Sequence, residues 1–326
     1  MSQHIEDDFD EEALFKTPER IQQGIQQRQQ HAHMTAPMTP PMPQPPAPMP
    51  AAPVDPLAKY YRTPGVHLNL PTKGAFFAPG EFHPTITGEV AVFPMTGADE
   101  MLMKDPDSLM SGYAVENLIK SCVPAIQNPR NLSMPDLDAL LLAIRAASYG
   151  DVMDVAIECP NCKHENTFDC HLPSLMSTMT FIDPENEVRL GDEVIVYVRP
   201  YTLATATRIA LAMFEEQRKL QAYGDDDDIA VVTAARNESF RRMTSLNTRS
   251  VADSIVSIIV PEGQVTDPQS IFKFFSNTST QWQKQIEKKL SELNAVGVDK
   301  RMPVQCVKCD HEWQTTVEFD PATFFG

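Results

Sequence analysis

Two short stretches decide how this chain is to be read: Ile157-Glu158-Cys159-Pro160-Asn161-Cys162-Lys163-His164-Glu165 and Val304-Gln305-Cys306-Val307-Lys308-Cys309-Asp310-His311-Glu312. Both follow the pattern C-x-x-C-x-H-E, and both are bracketed by alternating apolar residues, with Val155 and Ile157 before the first and Val304 and Val307 around the second. Two residues between cysteines allow a tight turn that aims both sulfurs at one point. Two such turns supply four thiolates, the tetrahedral set that zinc prefers. The expectation is therefore one structural Zn2+ on Cys159, Cys162, Cys306 and Cys309. A single C-x-x-C pair has a redox alternative, but a thioredoxin-like motif should open a helix after a buried strand. These pairs sit between strand-like runs, so redox chemistry fits less well. Four protein thiolates would also leave no open position for substrate, which makes the predicted site structural.

The surroundings of the two knuckles set the architecture. Asp151 to Glu158 alternates into the first and Asn166 to His171 leads out, as the arm of a zinc ribbon; Met302 onward and Trp313 to Phe319 repeat the arrangement for the second. Between them a hairpin is predicted at Glu187-Val188-Arg189 and Val194 to Val198, turning at Leu190-Gly191-Asp192. A helical block follows, with helices at Leu203 to Tyr223, 229–245, 249–260, Pro268 to Ser276 and Gln281 to Leu293. The fold class is α+β: a small β-rich and helical N-terminal part, then a split zinc-ribbon β-platform (151–200 and 301–326) with a large helical insertion (201–300).

Upstream, residues 57–150 are predicted to form a β-unit plus helices. Val66 to Leu70 alternates, Pro71-Thr72-Lys73-Gly74 turns, Ala75-Phe76-Phe77 resumes as strand, and Glu89 to Phe93 is a further strand. A helix starts near Ala98 and breaks at Pro106, and a second follows Ser111-Gly112. A third runs from Asp136 to Ser148, with Ser133 as N-cap and Asp136 at the third position of a capping box. Residues 1–56 read as a disordered tail that is acidic, then Gln-rich, then carries ten prolines between Pro37 and Pro56, a density that favours polyproline II. Phe9, Leu14, Phe15 and Ile21 leave room for a short docking helix there.

Other chemistry-bearing residues have plainer readings. Cys122 lies on an apolar helix face and is read as core. Cys170-His171 is a poorer ligand source than the four knuckle thiols. His164 and His311 are read as lying beside the ligands or exposed, and Arg145 as solvated or carboxylate-paired. The consecutive carboxylates Asp225 to Asp228 lack the alternation and glycine of a calcium loop and are read as a helix start. No phosphate-binding glycine loop, nucleophile elbow, HExxH helix or dinucleotide fingerprint occurs in the sequence. The chain has 27 basic and 44 acidic residues, a net charge of -17. That balance opposes nucleic acid as the main partner, because phosphate binding needs a basic surface. No apolar run is long enough for a membrane span, and the start of the chain has no signal-peptide pattern.

One set of local motifs goes further. Leu70-Pro71-Thr72-Lys73-Gly74, the strand near Val90, Asp99-Glu100, the helix from Gly112, the helix from Asp136 ending in Ser148-Tyr149-Gly150, and then Cys159-x-x-Cys162, resemble the baseplate hub proteins of T-even-type contractile-tailed bacteriophages. The resemblance covers roughly residues 60–320 and implies a non-enzymatic role in the hub or in its assembly. It also implies partners among the other baseplate, hub and tail proteins, and a path from the host cytoplasm into the virion tail. A tail assembly chaperone absent from the virion is the alternative; a zinc-ribbon nucleic-acid-binding protein is opposed by the charge, and an enzyme has no motif in its favour.

Overall fold

A computed structural model of the chain describes residues 57, 60–182, 186–223, 228–317, 319 and 324–325. The expected N-terminal tail, and Asp225 to Asp227 of the carboxylate run, lie outside these. The chain divides at Tyr60–Tyr61, and the architecture below is that of the unit from Tyr61 onward.

Mixed α+β structure is built on two cores. The first begins with the antiparallel strands β1 (Val66–Leu68) and β2 (Val90–Val92), paired Val66↔Val92 and Leu68↔Val90. Helices α1 (Gly97–Met103), α2 (Pro106–Met110), α3 (Tyr113–Cys122) and α4 (Met134–Tyr149) follow. Proline, which has no N–H to donate, stops α1 and opens α2 at its first position. In α4, Leu137, Leu140, Leu141, Leu142 and Ile144 are all buried. This core also takes Cys122, whose thiol burial pushes up to about 12, so it packs as a hydrophobe, as expected.

The second core lies under a four-stranded antiparallel sheet. Strands β5 (Glu187–Leu190), β6 (Val194–Val198), β7 (Ile255–Val260) and β8 (Gly263–Val265) form it in that order. Val188, Leu190, Val196, Val198, Ile255 and Ile258 meet Ile271 and Phe275 of α8 (Pro268–Asn277) and Ile286, Leu290 and Leu293 of α9 (Thr280–Asn294). Before α8 come α6 (Leu203–Gln221) and α7 (Ile229–Asp253), which form an arm; α5 (Leu172–Ser177) is a short helix after the first ribbon.

Two local expectations are corrected. The predicted helix over 249–260 is instead the end of one continuous α7 followed by strand β7. Ile255-Val256-Ser257-Ile258-Ile259-Val260 is β-branched throughout except for one serine, and such side chains are stiff in a helix and pack well on a pleated sheet. Pro261-Glu262 is the hairpin turn between β7 and β8. Ala75-Phe76-Phe77 is not a strand but part of a run of turns. There Lys73 and Gly74 have φ of 54 and 74 degrees, and a Cβ on Gly74 would lie 2.4 Å from the Phe82 ring. Glycine is required at that position for both reasons.

The same turn explains Asp136. Its carboxylate accepts from the Thr72 N–H at 2.8 Å, the Thr72 hydroxyl at 2.5 Å and the Ser133 hydroxyl at 2.7 Å. Ser133 caps α4 through the Asp136 N–H, but the Asp136 side chain bonds the Thr72 turn, 64 residues away in sequence. Burial pushes the Asp136 carboxyl above the usual aspartate range, against the three hydrogen bonds that favour the ionised form. Because the folded value is the higher one, the folded state holds the proton more tightly. This group therefore favours folding below the ordinary aspartate value, and that contribution is lost as pH rises from there through the raised value. Asp136→Ala strands three donors in the interior and is expected to cost roughly 2–4 kcal/mol, seen as a lowered midpoint in urea unfolding; a shift under about 0.5 kcal/mol would rule out this linking role.

Candidate metal centre

Each knuckle closes the tip of an antiparallel ribbon. Strands β3 (Val152–Glu158) and β4 (Glu165–His171) pair from Val152↔His171 to Glu158↔Glu165; β9 (Arg301–Gln305) and β10 (Glu312–Thr316) pair from Arg301↔Thr316 to Gln305↔Glu312. The tips are built alike. Cys159 donates its N–H to the His164 carbonyl and Cys306 to that of His311, at 2.8 and 2.9 Å. Lys163 and Asp310 return N–H bonds to the Cys159 and Cys306 carbonyls, each 3.0 Å. Both residues are left-handed, with φ of 59 and 54 degrees, a conformation that costs a non-glycine residue roughly 1–2 kcal/mol and comes where the chain turns back into the return strand.

All four sulfurs lie within 4.8 Å of one another. The closest pairs run between ribbons, Cys159–Cys309 at 3.7 Å and Cys162–Cys306 at 3.6 Å. A disulfide would need about 2.05 Å, and the cysteines are free. A tetrahedral ion with metal–sulfur bonds of about 2.3 Å sets its sulfurs about 3.8 Å apart, so this cluster could bind a metal ion. Its electrostatics point the same way. Burial opposes ionisation of Cys306, yet the Lys308 and Cys309 N–H groups and the Cys162 and Cys309 thiols bring it down to about 6. At Cys162 the His164 N–H favours the thiolate, but burial and the other three sulfurs push it up to about 12. The Cys306 thiolate forms readily, and a cation among the sulfurs would offset the repulsion that opposes a second at Cys162.

Residues near the knuckles fall out as follows. Cys170 is excluded from the cluster by register: it pairs with Met153, five positions from the tip or about 17 Å, and is buried in the first core. His164 is half-buried and His311 exposed, and the His311 ring stacks on Trp313 with centroids 5.8 Å apart. Arg145 departs from its expectation. It has no ion pair among the described residues; its guanidinium donates to the Phe324 carbonyl and lies over the Tyr149 and Phe324 rings at 5.0 and 5.5 Å.

The residue the sequence reading missed is Asn166. It is 2% exposed, donates to the His164 carbonyl at 2.9 Å, and accepts the Val307 N–H of the other ribbon at 3.0 Å. Asn161 adds a weaker reach across, to Cys309 Sγ at 3.6 Å. The only sequence sign of this was an asparagine in the first C-x-x-C-x-H-E-N where the second copy has Trp313. That tryptophan meets Phe168 edge-on at 6.1 Å, so polar and aromatic contacts both join the ribbons.

The fold and the site together define an α+β protein whose two β-ribbons, far apart in sequence, meet at a four-cysteine cluster able to hold a metal ion. A family model described as T4 bacteriophage base plate protein matches residues 68–326. The chain belongs to that family of T4-type phage baseplate proteins. No curated protein and no solved structure matches it. Among the described residues no helix is long and apolar enough to cross a membrane.

Asn166→Ala leaves the Val307 N–H without a partner and the His164 carbonyl with the Cys159 N–H alone. It is expected to cost roughly 2–3 kcal/mol and to speed amide exchange at both ribbon tips together. Faster exchange at the first tip alone would show that Asn166 does not join them.

Proposed function

We propose that this chain is a non-enzymatic structural or assembly protein of a contractile phage tail baseplate. It serves in the central hub or in the building of that hub, and a structural zinc ion on Cys159, Cys162, Cys306 and Cys309 holds it in shape. The observation that carries the reading is the family match, which spans both ribbons and everything between them. The cluster's dimensions support zinc, since four thiolates at this spacing fill a tetrahedral shell and leave no place for substrate. Its partners are other baseplate, hub and tail proteins, met in the host cytoplasm and kept in the finished particle. In this reading 151–200 and 301–326 form the clasped platform, while 57–150 and 201–300 carry the surfaces that meet neighbours.

Two measurements test the two halves of the proposal. Mass spectrometry of purified virions is expected to find the chain in tail particles. Its presence in assembling cells but absence from virions would favour an assembly factor, and normal tails from a mutant lacking the gene would reject the baseplate role. For the metal, purified protein is expected to hold one zinc per chain. Cys309→Ser is expected to uncouple the ribbon tips from the two cores, so that unfolding loses its single cooperative transition. Unchanged stability in a strong chelator would reject the zinc clasp.

A further inference from the structure

Helices α6 and α7 form an antiparallel arm, about 37 Å along the longer helix at 1.5 Å per residue. Between Thr207 and Ser250 no hydrophobic residue of the arm belongs to, or packs against, either hydrophobic core among the described residues; near its base Arg249 lies over the Phe272 ring at 5.2 Å. The centre of the arm is polar: the buried residues there are Glu216 and Ser239. Isolated helices of this length draw most of their stability from an apolar face that something covers.

The two flanks of the helix seam differ. On one, Glu216 takes Lys219 and Arg242 at 2.9 and 2.8 Å, and Arg242 also pairs Glu238 at 3.1 Å; that flank is closed by its own charges. On the other, Met213 and Leu220 of α6 face Met243 of α7 across a groove of about 410 Å3, which Gln217, Gln221 and the seam residue Glu216 also line. Met213 is 56% exposed, and Phe240 and Ile229, in line with Met243 at helical spacing, are 73% and 82% exposed. Arg236 lies in the same line and has no ion pair among the described residues. Along their shafts the two helices carry seven Arg and Lys against four Asp and Glu, and the four aspartates Asp225 to Asp228 are grouped in the sequence that joins them.

We propose that this groove docks an acidic amphipathic helix of a neighbouring protein, its apolar stripe against Met213, Leu220 and Met243 and a carboxylate at Arg236. The mode is helix-in-groove, and flexible methionine side chains suit it because they adapt to a partner's shape. A second copy of the arm is the poorer occupant, since it would bring two basic shafts and two Arg236 side chains together. The inference deepens the baseplate reading, and rests on it only for the source of the helix.

The test uses the full chain and two model peptides sharing one Leu stripe, one with a Glu-rich polar face and the other with Lys in place of Glu. The acidic peptide is expected to bind at micromolar Kd, at least tenfold tighter than its twin. Met213→Asp should weaken it more than tenfold, and Arg236→Glu about threefold or more with reduced salt dependence. Circular dichroism checks that these surface variants keep the fold. Equal binding of both peptides, no binding, or indifference to Met213→Asp would overturn the proposal. So would a dimer in sedimentation that Met213→Asp dissolves, which would assign the groove to a second copy. These outcomes are independent of the virion measurements, so either reading can fail alone. In assembled tails, a photo-crosslinker at Phe240 should then join an acidic amphipathic segment of another protein; a crosslink to a second copy's arm would overturn the assignment.

Discussion

The constraint that shapes this molecule is that two ribbon tips 144 residues apart, from Cys162 to Cys306, meet at one point. Closing a flexible loop of that length costs about 4 kcal/mol or more in chain entropy, and four sulfurs alone would have to meet it if nothing else held the ends. Other contacts do hold them. Thr180 donates its N–H to the Gly297 carbonyl at 2.8 Å, and Asp299 donates to the Thr178 hydroxyl at 3.0 Å, which stitches the exit of the first ribbon to the entry of the second. Met153 and Cys170 from the first ribbon's base, and Val298 and Val317 from the second's, share the first core. The long closure is thus made at the bases. The tips have only a short span left to close, over which Asn166 and the sulfurs act.

This separates what the sequence made legible from what it did not. The knuckles were readable because their geometry is local: two cysteines, one left-handed residue and a return bond all fall within six positions. The helix from Ser133 was readable for the same reason, since a cap and an apolar period are nearest-neighbour properties. Asn166 was not, because its second partner is the backbone of a residue 141 positions away. Nor was the second partner of Asp136: its pairing with Ser133 is local, but the turn that supplies two of the carboxylate's three hydrogen bonds lies 64 positions upstream. Strand β7 failed differently. Its apolar run suits helix or strand equally by period; the β-branched composition favours strand locally, and pairing with β6 completes the choice.

Polar groups set the long-range register of the first core and of the two ribbon tips, while the apolar residues supply most of the burial. Asp136 fixes the Thr72 turn to α4, and Asn166 fixes one ribbon to the other. Each is nearly fully buried, where an unmet partner costs more than the bond itself contributes. Apolar packing alone would tolerate small slips in either place, and a directional bond to a backbone N–H does not.

The arm sits at the opposite extreme. Its centre is an ion-paired glutamate that Arg242 and Lys219 hold at about 2, well below the usual carboxylate range, and partly exposed pairs of this kind contribute little to stability. An arm whose seam is polar and whose flank is methionine is a poor way to stabilise a lone chain. It is a serviceable way to present a surface that gains its stability on assembly, because the apolar area left open is then buried against a partner instead of against the body. On the docking proposed for the groove, the ribbons and the open arm are complementary: the first fixes shape at the level of one chain, and the second leaves its burial to a partner.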